Sequence, residues 1–219
     1  MSKFDAVYYD FDGTLADSIP VILKCFRLAY ENLTGKCDRS DEELMTFIGK
    51  PLEATFEMHG PDMAARLTDE YLRVNEQMLR DDAIDLFPNI KEDLMYLKSL
   101  GIRQGILTSK RRVSCMTTVE LKGMEKIFDA YVFKEDSTKH KPDGEPLKVA
   151  AAKLGLPDAS RILYVGDAVP DLLCARNAGS GFALVDWTKM DMGEYSDDPR
   201  IYRIKSLKDI SCIIREGEL

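Results

Sequence analysis

The chain has 219 residues, which fits one large domain or a domain that carries an insert. Apolar residues make up 45% and charged residues 31%, the composition of a folded protein with a substantial core. The net charge of −8 argues against a general affinity for nucleic acid or for an anionic membrane surface. A phosphate-bearing ligand would therefore have to be bound by a local positive site.

Cysteine usage and hydropathy predict the cellular compartment of the protein. The five cysteines are scattered and form no C-x-x-C pair, which favours reduced thiols over zinc ligands or disulfides. No run approaches the ~18 apolar residues of a membrane helix, and no long apolar segment of the secretory kind is visible near residue 1. We therefore expect a cytoplasmic protein without membrane contact. A monomer is the default expectation for its assembly, and a dimer is the alternative.

The first predicted strand, residues 6–9, is apolar and runs directly into Asp10-Phe11-Asp12-Gly13-Thr14. Because side chains alternate in an extended segment, Asp10 and Asp12 are predicted to point the same way. Two carboxylates about 4 Å apart repel by roughly 4 kcal/mol at an effective dielectric of about 20. A cation is therefore expected between them, and hard oxygen ligands favour Mg²⁺.

Residues 17 to about 82 show helical periodicity and little strand signal. The pattern predicts a helix that stops at Gly35, a capping box at residues 40–43, a helix that begins at Pro51 and a longer helix capped by Asp62.

From residue 86 onward, predicted helices and strands alternate. Strands are predicted over residues 102–108, 130–133, 161–165 and 181–185, and helices over 88–100, 110–122, 145–154, 170–178 and 206–215. Such alternation is typical of parallel β-α-β units. It predicts an α/β fold with a doubly wound parallel sheet, a Rossmann-like core of residues 1–15 and 84–219. Residues 16–83 would form an inserted α-helical domain.

Ligands of such sheets bind beyond the carboxyl ends of the strands, so polar residues at other strand ends are candidates for the same site. These are Thr108 and Ser109, Lys141 in a later turn, and Asp167 with Asp171. Each has a simpler explanation alone. Thr108 or Ser109 could cap a helix, Lys141 could be a solvated lysine, Asp167 could be a turn residue, and Asp171 could be a first-turn helix acid.

Two nearby groups of basic residues complicate this assignment. Lys139 competes with Lys141 for the same place, although the proline after Lys141 favours the latter. The run 110–112 is predicted to be an exposed helix start that nevertheless lies close enough to the site to meet an anionic substrate.

The four polar segments resemble, in order and spacing, the four motifs of the haloacid dehalogenase superfamily. Those motifs are D-x-D-G-T, a Ser/Thr after a hydrophobic strand, Lys-Pro, and G-D-x-x-x-D. A helical insert between the first two motifs is similar to the cap of the phosphoglycolate phosphatase-like branch. That branch often has a second proline where this chain has Gly144. The resemblance implies a Mg²⁺-dependent phosphatase that acts on a small phosphomonoester, a small phosphorylated metabolite, through an aspartyl-phosphate intermediate.

The resemblance also implies catalytic roles. Asp10 would attack phosphorus, and Asp12 would protonate the leaving oxygen and then accept a proton from water. Mg²⁺ would be bound by the carboxylates of Asp10 and Asp167 and by the backbone carbonyl of Asp12. Asp171 would support the metal site, either as a ligand or through a neighbouring group.

Substrate contacts are implied in the same way. Thr108, Ser109 and Lys141 would bind the transferring phosphoryl group, and Lys50 of the insert would contact the substrate.

Other functions on the same scaffold stay open. Inorganic pyrophosphatase and nucleotidase activities use the same core. A phosphosugar mutase is a more distant alternative, because the Arg-bearing cap loop of those enzymes is not recognisable here. A non-catalytic binding protein is disfavoured, because such relatives usually lose the nucleophile or the metal aspartate, whereas Asp10 and Asp167 are both present.

Overall fold

The structure is a computed structural model that describes residues 3–48 and 52–215. The chain divides into two compact units, one formed by Met1–Asp17 with Leu86–Leu219 and the other by Ser18–Asp85. None of the helices in the described ranges combines the length and the apolar character needed to span a bilayer.

The first unit is built on a six-stranded sheet in which every neighbouring pair of strands is parallel. Its strands are β1 (Ala6–Tyr9), β4 (Arg103–Leu107), β5 (Ala130–Val132), β6 (Ile162–Gly166), β7 (Gly181–Val185) and β8 (Tyr202–Ile204), in the spatial order β5-β4-β1-β6-β7-β8. Two short strands, β2 (Ala16–Asp17) and β3 (Asp85–Leu86), form a separate two-stranded sheet. The helices of this unit are α5 (Ile90–Ser99), α6 (Arg112–Leu121), α7 (Glu145–Lys153), α8 (Val169–Ala178) and α9 (Ile210–Arg215). The predicted doubly wound α/β fold is confirmed.

The central strands are buried along their whole length. All residues of β1 and β6 are buried, as expected for a parallel sheet covered on both faces. Tyr8 and Tyr164 are register partners on these two strands and belong to one apolar cluster with Leu107 and Leu172. This packing fixes the strands from which the polar loops emerge.

The direction in which successive strands are added to the sheet reverses beside β1. The chain builds outward from β1 to β4 and β5, then returns to the other side of β1 with β6. Tyr9 is in register with both Ile106 and Val165, so β1, β4 and β6 end at nearly the same level. The Asp10 backbone N–H donates to the Val165 carbonyl at 2.8 Å. This reversal is the place where doubly wound sheets bind ligands.

The second unit is helical. Its helices are α1 (Ile19–Thr34), α2 (Asp41–Met45), α3 (Leu52–Phe56) and α4 (Pro61–Arg80). The centroid of the Phe26 ring on α1 lies 4.6 Å from the ring centroid of Tyr71 on α4. It lies 5.4 Å from that of Phe47 and 5.9 Å from that of Phe56. Aromatic pairs at such distances contribute beyond simple area burial, so this cluster forms the centre of the unit's core.

The predicted helix ends are partly confirmed. Helix α1 ends before Gly35, and the Ser40 side chain forms the predicted capping box with Glu43. The prediction that Asp62 caps the long helix is wrong, because α4 begins at Pro61 and Asp62 lies in its first turn. Proline has no N–H to satisfy and a helical φ, which suits that first position. Pro51 lies outside the described residues.

Two further differences arise from tertiary context. The helix predicted over residues 88–100 ends earlier, since α5 stops at Ser99, and Leu100 just after it is 37% exposed. Strand β8 was not predicted, because three residues at the edge of a sheet give too short a pattern to recognise.

The five cysteines carry thiols rather than disulfides, and Cys25, Cys115 and Cys174 are buried. Cys212 is instead exposed.

Candidate active site

The predicted polar residues follow three adjacent strands. Asp10 comes directly after β1, Thr108 after β4 and Asp167 after β6. Because β1 ends at Tyr9, Asp10 and Asp12 lie in the turn beyond the strand. All three positions are buried, so the loops leave the sheet with polar side chains turned into the protein rather than toward solvent.

Three carboxylates converge at this edge. One oxygen from each of Asp10, Asp167 and Asp171 lies within 4.8 Å of the others, and all three residues are buried. Among the residues that the structure describes, no other group of acidic, histidine or cysteine side chains converges in this way.

Lys141 is the cation at the centre of this group. Its Nζ lies 3.1 Å from Asp10 Oδ1 and 2.6 Å from Asp171 Oδ1, and its side chain is only 8% exposed. Lys139, the competing lysine, is 69% exposed and pairs with Asp143 at 3.6 Å. The fold therefore brings Lys141, and not Lys139, to the carboxylates.

Asp171 has both carboxylate oxygens engaged by protein donors. Oδ1 accepts a hydrogen bond from Lys141, and Oδ2 accepts from the backbone N–H groups of Asp167 and Ala168 at 3.3 and 3.2 Å. These contacts fix both the lysine and the turn that carries Asp167. Asp171 is thus arranged to position its neighbours.

Burial and mutual repulsion change the ionisation of the site. Burial, followed by the charges of Asp171 and Asp12, raises the pKa of Asp10 to about 7 despite the nearby Lys141. Burial and the neighbouring carboxylates of Asp171 and Asp10 raise the pKa of Asp167 well above its usual value. Burial by itself would lower the pKa of Lys141, but the carboxylates of Asp10 and Asp171 outweigh it and raise the pKa. Lys141 therefore stays charged. The ionised forms of Asp10 and Asp167 are disfavoured, because too little positive charge lies near them.

A second buried lysine faces Asp12. Lys110 Nζ donates to both oxygens of Asp12, at 3.0 and 3.2 Å, and the Lys110 side chain is 8% exposed. The prediction that residues 110–112 form an exposed helix start is therefore wrong for Lys110. Arg112, which does begin α6, pairs with Asp136 at the surface.

These residues fit a divalent cation. Asp10 Oδ1 is buried and has no hydrogen-bond partner among the described residues, since Lys141 approaches it as an ion pair without hydrogen-bond geometry. When ionised, four carboxylates, those of Asp10, Asp12, Asp167 and Asp171, face two ammonium groups and leave two uncompensated negative charges. An all-oxygen donor set with that charge suits a hard divalent ion such as Mg²⁺.

The first turn fits closely against Asp167. A Cβ on Gly13, whose φ is +82°, would lie 2.2 Å from Asp167 Oδ2. The neighbouring Thr14 hydroxyl donates to Asp167 Oδ1 at 3.3 Å, and the indole N–H of Trp187 donates to the Thr14 carbonyl at 3.1 Å. The D-x-D-G-T turn and the loop after β6 therefore pack tightly against each other around that carboxylate.

Thr108 and Ser109 line the same small pocket as Lys141. The Thr108 hydroxyl accepts a hydrogen bond from the Lys110 N–H at 3.1 Å. The N-cap of α6 is Arg111, so neither hydroxyl caps that helix. Lys50, the remaining predicted substrate contact, lies outside the described residues.

Comparison with known proteins agrees with this geometry. The sequence model of one family, haloacid dehalogenase-like hydrolase, matches residues 7–185. The chain belongs to the haloacid dehalogenase superfamily. A solved haloacid dehalogenase-like hydrolase from Bacteroides fragilis, so described provisionally, superposes with a TM-score of 0.82 at 31% identity and covers 95% of this chain and 100% of its own.

Curated relatives of similar length point to phosphate chemistry. A Clostridium perfringens protein, provisionally named pyrophosphatase PpaX, is 32% identical over 95% of this chain and 96% of its own. The pyrophosphatase PpaX of Bacillus velezensis is 30% identical over 96% of this chain and 98% of its own.

The family match and the relatives named pyrophosphatase together support a phosphoric ester hydrolase, a class that acts on small phosphorylated substrates. Haloacid dehalogenase-like hydrolases generally use a divalent metal ion, and the buried acidic triad fits one.

Sequence reasoning did not predict the contacts of two residues of the site. Lys110 was placed near the site in a basic run, but its contact with Asp12 was not predicted, although its position two residues after Thr108 was a usable signal. Tyr164 was assigned only to the buried strand; its hydroxyl donates to the Leu107 carbonyl at 3.0 Å and accepts from Lys141 at 3.2 Å. A hydroxyl in an otherwise aliphatic strand was the only local sign of that contact.

Proposed function

We propose that the enzyme is a Mg²⁺-dependent phosphatase that hydrolyses its substrate in two steps, with Asp10 as the nucleophile. The observation that carries this proposal is the buried convergence of Asp10 and Asp167 beside Lys141 at the ends of β1 and β6. A carboxylate attacks an anionic phosphate at a useful rate only if nearby positive charge offsets their repulsion.

The metal would be held by the carboxylates of Asp10 and Asp167 and by the backbone carbonyl of Asp12. When bound, it supplies charge that screens the nucleophile from the phosphoryl oxygens and orients the two for reaction. Asp171 would support the metal site by fixing its neighbours, because its oxygens accept hydrogen bonds from Lys141, Asp167 and Ala168.

The protein's own side chains would perform the remaining chemistry. In the first step a bond forms between an Asp10 oxygen and phosphorus, the bond to the leaving oxygen breaks, and Asp12 gives that oxygen a proton. In the second step Asp12 takes a proton from water, which displaces phosphate from Asp10. Lys141 and the hydroxyls of Thr108 and Ser109 would stabilise the charge on the transferring group.

Two substrates are proposed. The extent of similarity to proteins named pyrophosphatase PpaX favours pyrophosphate as the first candidate. A phosphomonoester like phosphoglycolate, expected from the motif resemblance, is the second.

On the resemblance alone, we also propose that the helical insert, residues 16–83, acts as a cap. It would exclude bulk water during phosphoryl transfer, and Lys50 would be one of its substrate contacts.

A phosphate-release screen tests the proposal. The purified protein is assayed with pyrophosphate, phosphoglycolate, sugar phosphates and nucleoside monophosphates, with Mg²⁺ or with chelator. Asp10→Asn should lower turnover at least a thousandfold, because an amide cannot act as the nucleophile. Turnover that survives this change within tenfold, or that persists in chelator, would rule the mechanism out.

Asp5→Asn is the matched control for this screen. Asp5 precedes the same strand at its opposite end and pairs with Arg161 at 2.6 Å. The control makes the same chemical change away from the proposed site, so its turnover should stay close to that of the wild type.

A further inference from the structure

We propose that Lys110 is a specificity-determining residue that selects substrates whose leaving group carries its own negative charge. This inference rests on the proposed function, because it takes Asp12 to be the group that protonates the leaving oxygen.

The structure fixes Lys110 in place at its backbone and at its side chain. Its N–H donates to the Thr108 hydroxyl at 3.1 Å, and its carbonyl accepts from the Lys134 N–H at 3.2 Å. Its ammonium group contacts both oxygens of Asp12. A lysine anchored in this way loses little additional freedom when it binds an anion, unlike an ordinary surface lysine.

The two lysines of the site have different surroundings. Lys141 is engaged by Asp10, Asp171 and Tyr164, on the side of the nucleophile. Lys110 is engaged by Asp12. One cation therefore lies beside the attacking group and the other beside the proposed proton donor.

The position of Asp12 limits how far Lys110 can be from the leaving group. A proton donor must come within about 3.2 Å of the oxygen that it protonates. Lys110 Nζ is 3.0 Å from one oxygen of Asp12 and 3.2 Å from the other, so it would lie on the order of 6 Å or less from the leaving oxygen. The Asp12 side chain is 20% exposed and that of Lys110 8%, so the carboxylate is the more accessible member of the pair.

An ammonium group so near the leaving oxygen attracts any anionic group attached to it. The departing phosphate of pyrophosphate and the carboxylate of phosphoglycolate both qualify. A neutral alcohol gains no such interaction. A lysine that serves only to hold Asp12 would instead affect all substrates alike.

The test compares Lys110→Met with the wild type on four substrates in Mg²⁺. Pyrophosphate and phosphoglycolate have anionic leaving groups; 2-hydroxyethyl phosphate and p-nitrophenyl phosphate have leaving groups without a second charge. Phosphoglycolate and 2-hydroxyethyl phosphate form a matched pair, since they differ mainly in a carboxylate replaced by an alcohol. The ratio of kcat/KM for the better anionic substrate to that for the better neutral one should fall at least fivefold in the variant.

Two further variants serve as controls. Lys110→Arg keeps the charge and should restore most of the ratio. Lys139→Met removes the same charge from an exposed residue and should leave the ratio unchanged. A fall of less than fivefold in Lys110→Met, or an equal loss on all four substrates, would overturn the proposal.

The wild type provides a test that needs no variant to fold. It should prefer its better anionic substrate over its better neutral one by tenfold or more in kcat/KM, and the absence of a preference would also overturn the proposal. Failure of the proposed function has a different signature: the wild type would release phosphate from none of the four, or its turnover would survive Asp10→Asn or the chelator.

Discussion

At the scale of single residues, the site depends on atoms packed closer than most side chains allow. Asp167 lies against the Gly13 backbone, and the Thr14 hydroxyl holds one of its oxygens. The carboxylate can occupy this position only because residue 13 has no Cβ. The glycine of the D-x-D-G-T motif therefore has a packing role in addition to its turn conformation.

Gly13→Ala is predicted to weaken Mg²⁺ binding at least tenfold. The new Cβ would lie 2.2 Å from Asp167 Oδ2 and displace that oxygen from the triad. Binding is measured by Mg²⁺ titration of the fluorescence of Trp187, the only tryptophan of the chain, which donates to the Thr14 carbonyl.

Gly155→Ala separates the packing effect from backbone strain. Gly155 also has a positive φ, +64°, but a Cβ there would meet nothing within 4 Å. Both alanines have a strained conformation that costs about 1–2 kcal/mol, but only Gly13→Ala should lose metal affinity. Equal metal affinity in the two variants would show that the close contact with Asp167 does not matter.

At the scale of elements, a small polar network joins the two long helices of the second unit. Glu70 on α4 accepts hydrogen bonds from Asn32 on α1 at 2.7 Å and from Arg73 at 2.7 and 2.9 Å. These bonds, that of Arg73 first, lower the pKa of Glu70 to about 2 from its usual 4.5. The carboxylate therefore helps to fix α1 against α4 whenever it is ionised.

Glu70→Gln is predicted to lower the free energy of unfolding by about 1 kcal/mol at neutral pH. Because the folded pKa is depressed, the contribution of Glu70 is fully present above pH 4.5 and is lost as the pH falls toward 2. The difference between wild type and variant, measured by urea unfolding, should shrink over that range.

Glu76→Gln provides the comparison on the same helix. Within the described part of the chain Glu76 pairs with Arg80 alone, at 2.6 Å, and its side chain is 61% exposed, so its loss should change stability by less than about 0.5 kcal/mol. If the two variants behave alike, the link to α1 contributes nothing measurable.

At the scale of the whole molecule, the uncompensated charge of the site couples metal binding to stability. An acid whose folded pKa is raised favours the folded state at low pH, and this contribution is lost as the pH rises through the folded value. For Asp10 the range runs from its usual 3.8 to about 7. Without metal, ionisation of Asp10 therefore opposes folding at neutral pH.

Asp10→Asn should remove this effect. In chelator, the variant should gain about 1–3 kcal/mol over the wild type as the pH rises from 4 to 8, measured by urea unfolding. Saturating Mg²⁺ should stabilise the wild type more than the variant, because binding to the folded state alone raises stability.

Asp5→Asn should show no such gain between pH 4 and 8, because the contribution of Asp5 is lost only as the pH falls below its usual pKa of 3.8. The hydrogen bond from Arg161 lowers the pKa of Asp5, so that side chain stabilises the fold when ionised. A constant difference between Asp10→Asn and wild type over the whole pH range would contradict the predicted coupling.

Local patterns in the sequence were sufficient for the fold class and for most of the polar residues that meet at one edge of the sheet. Apolar runs and three- and four-residue steps predicted β1, β4, β6, β7 and α1 to within one or two residues, because burial of one face imposes a period on the sequence. The rule that ligands bind beyond parallel strand ends then selected Asp10, Thr108 and Asp167, which the structure does bring to one edge.

The sequence by itself thus determined which elements form and which polar residues leave them. Only the tertiary structure decided the partners: Lys141 rather than Lys139 beside Asp10, both oxygens of Asp171 engaged, and Lys110 turned inward to Asp12. These contacts join residues up to 131 positions apart, and a periodic pattern reports only which face a residue lies on. Which lysine reaches which carboxylate depends on strand order and on the burial of each loop, and these are properties of the assembled sheet.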